Sequence, residues 1–134
     1  MRKLFASVLL AGFAATTIPA AALDRTVPPN TTSMIDFVGS FDTRTCQNGP
    51  KPRVRIADPK HGRVTMEWTS RKVDASLLRA GNRKCVGTTM RGMAIYYTPN
   101  SGYTGRDKVG IRYRYGPAGY HSRSAGKTIR IRVQ

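Results

Sequence analysis

The sequence predicts an all-β fold, a β-sandwich of about seven short strands with one disulfide. Three observations predict it. Apolar residues recur at every second position in several runs, which puts them on one face of a strand. Residues with turn chemistry separate those runs at regular intervals. The chain also holds two cysteines, Cys46 and Cys85, behind a start typical of exported proteins.

That start is Met1-Arg2-Lys3, followed by an apolar run from Leu4 to Ala15 and by Ala20-Ala21-Ala22. Positive, apolar and small-residue regions in this order read as a secretory signal peptide over residues 1–22. The apolar run is too short for a membrane anchor, since a spanning helix needs about 20 residues. Cleavage leaves a chain beginning near Leu23, with no transmembrane segment and a periplasmic or secreted destination. Removing Arg2 and Lys3 with the leader takes the net charge from +16 to +14 over the remaining 112 residues. That length suits a single domain with a modest core.

Residues 23–51 read as an N-terminal arm and an edge strand. Leu23 to Ser33 carries Pro28-Pro29 and no period, so it is expected to be extended. Met34 to Phe41 is the expected edge strand. Arg44 to Lys51, with Cys46 and Asn48-Gly49-Pro50, reads as a loop pinned by the disulfide. An even cysteine pair in an exported chain predicts the bridge Cys46–Cys85. Closing a loop of about 40 residues stabilises by roughly 3 to 4 kcal/mol in the chain-entropy model. Neither cysteine has another Cys or a His at ligand spacing, which argues against a metal site.

Residues 52–134 read as the sandwich domain. Arg53 to Ala57 is a strand with Val54 and Ile56 inward. Asp58-Pro59-Lys60-His61-Gly62 is a turn, and Arg63 to Thr69 a second strand with Val64, Met66 and Trp68 inward, so the two runs predict a hairpin. In Ser70 to Asn82, Val73, Leu77 and Leu78 have helical spacing, which predicts one or two helical turns. Arg83 to Thr89 reads as a weak strand and Gly92 to Thr98 as a strong one. Pro99 to Gly105 is a turn, because Pro fixes φ, Gly permits positive φ, and Asn and Ser bond their own backbone. Asp107 is expected to bond backbone amides there. Lys108 to Tyr115 pairs next, a loop through Tyr120, His121 and Arg123 follows, and Lys127 to Val133 closes the domain with Ile129, Ile131 and Val133 inward.

The run Tyr97-Thr98-Pro99-Asn100 followed by Gly102-Tyr103-Thr104-Gly105-Arg106-Asp107 resembles the signature of bacterial Ig-like, cadherin-like repeats. Pro59-Lys60-His61-Gly62 matches the first turn of that pattern, and Ile129 to Val133 its last strand. The similarity covers about residues 52–134. It implies an Ig-like sandwich and an extracellular or periplasmic module for adhesion, spacing or carbohydrate contact, without a shared catalytic site. The chain departs from the pattern in being a single copy and strongly basic.

The functional reading rests on charge. Arginine outnumbers lysine 16 to 7, which favours bidentate recognition of phosphate and carboxylate. Arg53 and Arg55, Arg112 and Arg114, and Arg130 and Arg132 each flank an inward apolar residue. In an Ig-like order the last two strands are neighbours, so Arg112, Arg114, Arg130 and Arg132 are expected close together on one face. Tyr120 and Arg123 are expected at the end of that face, and Tyr96 beside it if its strand joins the sheet. These residues form the candidate anion site. The expected partner is an anionic polysaccharide or cell-envelope polymer, as for a lectin or adhesin. Export argues against nucleic acid as a physiological partner. The alternatives are loose adhesion to any anionic surface and a structural or assembly protein that binds another envelope protein.

The carboxylates are scattered, and His61 and His121 sit in separate loops without a Ser or Asp motif. The expectation is therefore a protein that is not an enzyme, with no cofactor and no metal site.

Overall fold

The computed structural model describes residues 22–78, 83–116 and 123–134; of the predicted leader, only Ala22 falls among them. The fold is all-β and sandwich-like. Its strands are β1 (Ala22–Val27), β2 (Ser33–Val38), β3 (Phe41–Asp42), β4 (Gln47–Asn48), β5 (Arg53–Ala57), β6 (Gly62–Lys72), β7 (Thr89–Pro99), β8 (Gly105–Tyr115) and β9 (Arg123–Val133). A front sheet runs β1-β9-β8-β5 and a back sheet β2-β7-β6. The described residues thus form nine strands rather than the expected seven or so, of which seven build these two sheets. The other two, β3 and β4, form a small separate ribbon. Among the described residues no helix is long and apolar enough to cross a membrane.

The core lies between the two sheets. Val109 and Ile111 of β8 and Ile129, Ile131 and Val133 of β9 meet Ile35 and Val38 of β2 and Ile95 and Tyr97 of β7, all buried. Strand alternation places these side chains inward, as the sequence pattern predicts.

The disulfide Cys46–Cys85 is present, with a Cα–Cα distance of 5.3 Å. It ties the β3–β4 turn to a 3₁₀ turn at Arg83–Cys85. Asn48 adds a second attachment. Its Nδ2 donates to the Thr89 carbonyl (3.0 Å), and its Oδ1 accepts from the Arg91 amide (2.7 Å).

Several expectations are corrected. The extended arm is part of the sandwich: β1 pairs with β9 in parallel, from Ala22 opposite Thr128 to Val27 opposite Val133. Residue 52 is therefore not a structural boundary. The pairing left no period in the sequence because Leu23 to Thr26 are all exposed on this edge strand, and Val27 is the first buried residue. β2 pairs with β7 and carries a bulge between Met34 and Asp36. The extra residue shifts the alternation, so both buried Ile35 and Asp36 point between the sheets.

β5 and β6 do not form a hairpin. β5 pairs with β8 and β6 with β7, in different sheets. The turn between β5 and β6 is held by Asp107 of β8. Its carboxylate accepts the amides of Lys60 (3.1 Å) and His61 (2.9 Å), holding the chain as it crosses between sheets. The expected helical stretch is instead the end of β6, which reaches Lys72, and a 3₁₀ turn at Ala75–Leu77, with residues 79–82 outside the described set. Val73 pairs across the chain: its amide donates to Thr88 and its carbonyl accepts from Gly87. This pairing and the burial of Val73 outweigh the helical spacing. The weak strand at Arg83 to Thr89 is a 3₁₀ turn, and β7 starts at its last residue.

Met66 and Trp68 have inward parity, but β6 is an edge strand. Met66 is 46% exposed. Trp68 is half-buried, with Lys51 Nζ 4.9 Å and the Arg91 guanidinium 5.7 Å from its ring. Inward parity buries a side chain only where the facing sheet extends over it.

Two glycines have a steric reason. A Cβ on Gly92 would lie 2.4 Å from the Phe37 ring. Gly102 has φ of +73° in the β7–β8 turn, where its amide donates to Asn30 Oδ1 (2.9 Å).

Candidate anion-binding face

The Arg-x-Arg runs come from strands whose apolar residues face the core, so alternation sends the arginines to the outer face of the front sheet. Register then decides which cations meet. Arg53 lies opposite Arg114 and Arg55 opposite Arg112 across β5 and β8. Arg106 lies opposite Arg132 and Lys108 opposite Arg130 across β8 and β9. The face therefore carries four directly opposed like-charge pairs. Arg114 is half-buried and the other seven cations are exposed.

The pairs form two clusters. Arg53, Arg55, Arg112 and Arg114 line a shallow groove of about 730 Å³ with Ser124 and Gly126. Arg106, Lys108, Arg130 and Arg132 line a cleft of about 710 Å³ together with Asp24, Thr26, Lys60 and His61. Between the clusters sit Ala57, Gly110 and Thr128, in register with one another.

The clusters differ in neutralisation. Asp24 on β1 stands beside Arg130 and holds its guanidinium in a fork, Nε to Oδ1 at 2.8 Å and Nη2 to Oδ2 at 3.1 Å. Among the described residues no carboxylate forms an ion pair with Arg53, Arg55, Arg112 or Arg114.

The predicted site is thus only partly assembled. Arg112, Arg114, Arg130 and Arg132 do share one face, but not one cluster. In an antiparallel pair the late residues of β8 oppose the early residues of β9, so Arg112 faces Gly126 and Arg114 faces Ser124. Arg123 opens β9 opposite Tyr115. Tyr120 and His121 lie outside the described residues. Tyr96 is on the back sheet, opposite Met34, and does not flank the arginines. Arg53, Arg55, Arg106, Lys108 and Asp24 belong to the face and were missing from the sequence-based site. The Arg53-Val54-Arg55 alternation was a usable signal, but it pointed to the site only once β5 was known to pair with β8.

Asp107 positions the loop beside the second cleft. It is 8% exposed and accepts from Lys60, His61 and Lys108 amides and from the Tyr97 hydroxyl (2.8 Å). Burial pushes its carboxyl up, but the donors, the His61 amide foremost, outweigh this and hold it below the usual carboxylate value. Burial, followed by the hydrogen bond to Asp107, pushes the Tyr97 hydroxyl well up. His61 stacks on Tyr103, ring centroids 4.3 Å apart. Among the described residues no group of three or more His, Cys, Asp or Glu could hold a metal ion.

At the other end of the sandwich, Lys127 Nζ lies 2.7 Å from Asp36 Oδ2 between the sheets. That oxygen has no aligned hydrogen bond, so the contact is an ion pair without hydrogen-bond geometry. Lys127 also stands 5.8 Å from the Tyr113 ring. Lys127 is therefore engaged inside the sandwich and adds nothing to the outer cluster.

In comparison with known proteins, the chain matches no family model, no curated protein and no solved structure.

Proposed function

We propose that this chain is an exported, Ig-like binding module that contacts an anionic glycan or cell-envelope polymer through the outer face of its front sheet. The observation that carries this reading is the set of four directly opposed cation pairs on one face. Like charges directly opposite destabilise a sheet by roughly 0.2 to 1 kcal/mol per pair. A bound polyanion turns that cost into attraction, and guanidinium groups match phosphate, sulfate and carboxylate oxygens in paired geometry. The Cys46–Cys85 bridge fits an oxidising, exported setting. The strand order supports the Ig-like reading. Lettering the seven long strands A to G gives sheets A-G-F-C and B-E-D, which differ from the constant-type order only in the sheet that takes the first strand.

The test is retention of the oxidised protein on an immobilised anionic polysaccharide at physiological salt. Wild type is expected to be held and the Arg53→Glu/Arg114→Glu variant to pass through. Equal elution of the two proteins would sink the assignment of the face.

One observation favours a second reading, an assembly protein that pairs with an envelope protein. β6 is eleven residues long and, among the described residues, pairs only with β7, leaving one ladder edge open there. A stoichiometric protein partner that survives high salt distinguishes this reading, because charge-driven polymer binding weakens with salt.

A further inference from the structure

We propose that the ligand is a linear polyanion lying along β8 and bridging both cation clusters, recognised by the spacing of its charges rather than by its rings. This rests on the anion-binding reading above and narrows it.

The clusters share β8. Arg112 and Arg114 serve one, Arg106 and Lys108 the other. Their midpoints are six residues apart on that strand, which is about 20 Å at the rise of a β-strand. The interval is neutral and low. Gly110 has no side chain, and Ala57 and Thr128 flank it. A chain crossing this waist meets neither charge nor bulk. A small anion fills one cluster at most, whereas a polymer extended over about 20 Å reaches both.

The clusters have unequal strength. Among the described residues the four cations of the β5–β8 cluster have no carboxylate partner, whereas Asp24 already holds Arg130 in the β8–β9 cluster. The first is the anchor and the second the extension. Register places no aromatic side chain at an outward position of these four strands. The rings that border the two clusters are already engaged, His61 stacked on Tyr103 and Tyr113 against Lys127, so neither is a free stacking platform of the kind that holds single-stranded nucleic acid. The recognisable chemistry is sulfate, phosphate or carboxylate repeated along a flexible chain.

The experiment measures affinity of the full chain for heparin-derived oligosaccharides of graded length, with inorganic sulfate as the single-anion probe. Linking two sites multiplies affinity by about a hundredfold at the low end. A step of that order is expected at the length that spans both clusters, and little change beyond it. Arg106→Ser/Arg132→Ser is expected to remove the step and keep short-ligand binding. Arg53→Ser/Arg112→Ser is expected to weaken ligands of every length. Both variants relieve like-charge pairs, so a thermal melt should show them folded. Short and long ligands binding alike, with the arginine variants still weakened, would overturn the bridging geometry while leaving the anion face standing. No binding at any length would overturn both. Tighter binding of a single-stranded oligonucleotide of equal charge would overturn recognition by charge alone.

Discussion

The two outer faces of the sandwich come from the same kind of alternating strand, yet they are chemically opposite. Among the described residues the front-sheet strands present eight cations outward in four opposed pairs and a single carboxylate, Asp24. The back face shows Met34 opposite Tyr96, Phe37 over Gly92, and Glu67 on the same strand as Arg63 and Arg71. Arg71 lies against the Phe37 ring at 5.6 Å and bridges Asp74 at 3.1 Å. Charges on the back are thus dispersed among neutral residues, and Arg71 is engaged, as expected of a solvated surface. Charges on the front are concentrated and, in the β5–β8 cluster, have no carboxylate partner among the described residues. Only the front face gains from an outside anion.

The comparison breaks most completely if the sheets are uncoupled, and Asp107 is the place to do it. Asp107→Ala leaves the Lys60, His61 and Lys108 amides without their carboxylate acceptor and the Tyr97 hydroxyl with only the longer contact to the His61 carbonyl. The expected loss is about 3 kcal/mol, read by urea unfolding. The sign with pH follows from the depressed carboxyl. Its contribution is full above the unfolded-state value near 3.8 and is lost as pH falls through the lower folded value. The acid limb of the stability profile should therefore shrink in the variant.

A smaller effect sharpens the contrast. Arg55→Glu turns the Arg55–Arg112 pair from like to opposite charge. It should stabilise the fold by about 1 kcal/mol at low salt and weaken polymer retention, so the two readouts move in opposite directions. Arg63→Glu on the back sheet changes net charge equally and should leave retention nearly intact. If both variants lose retention alike, overall charge rather than the front face does the binding.

The smallest effect concerns Asp24. Its side chain is 74% exposed and that of Arg130 62%, so Asp24→Asn should cost no more than about 0.5 kcal/mol in a thermal melt. Retention should rise, because Arg130 is released to the ligand.

Much of the fold was legible because alternation is a local property. Val54 and Ile56, Val109 and Ile111, and Ile129 to Val133 announced their inward faces one strand at a time. The cysteine pair was legible by elimination. Pairing partners were not, since they depend on residues far apart. Arg53 and Arg55 could not be joined to Arg112 and Arg114 without knowing that β5 pairs with β8 rather than with β6. β1 gave no period because its first five residues keep mostly to solvent. The candidate site was half legible for the same reason. The outward arginines were visible in sequence, but register is what divided them into two clusters and brought Arg106 and Lys108 among them.

The parallel pairing of β1 with β9 has a mechanical consequence. Ala22 and Val133 lie at opposite ends of that seam, with the chain running the same way in both strands. A tension applied at these two residues slides the strands past each other, loading six paired positions at once instead of peeling them apart singly. The Asp24–Arg130 fork crosses the same seam. Load between the two ends of this seam is thus carried in shear, the direction in which a ladder of hydrogen bonds shares it.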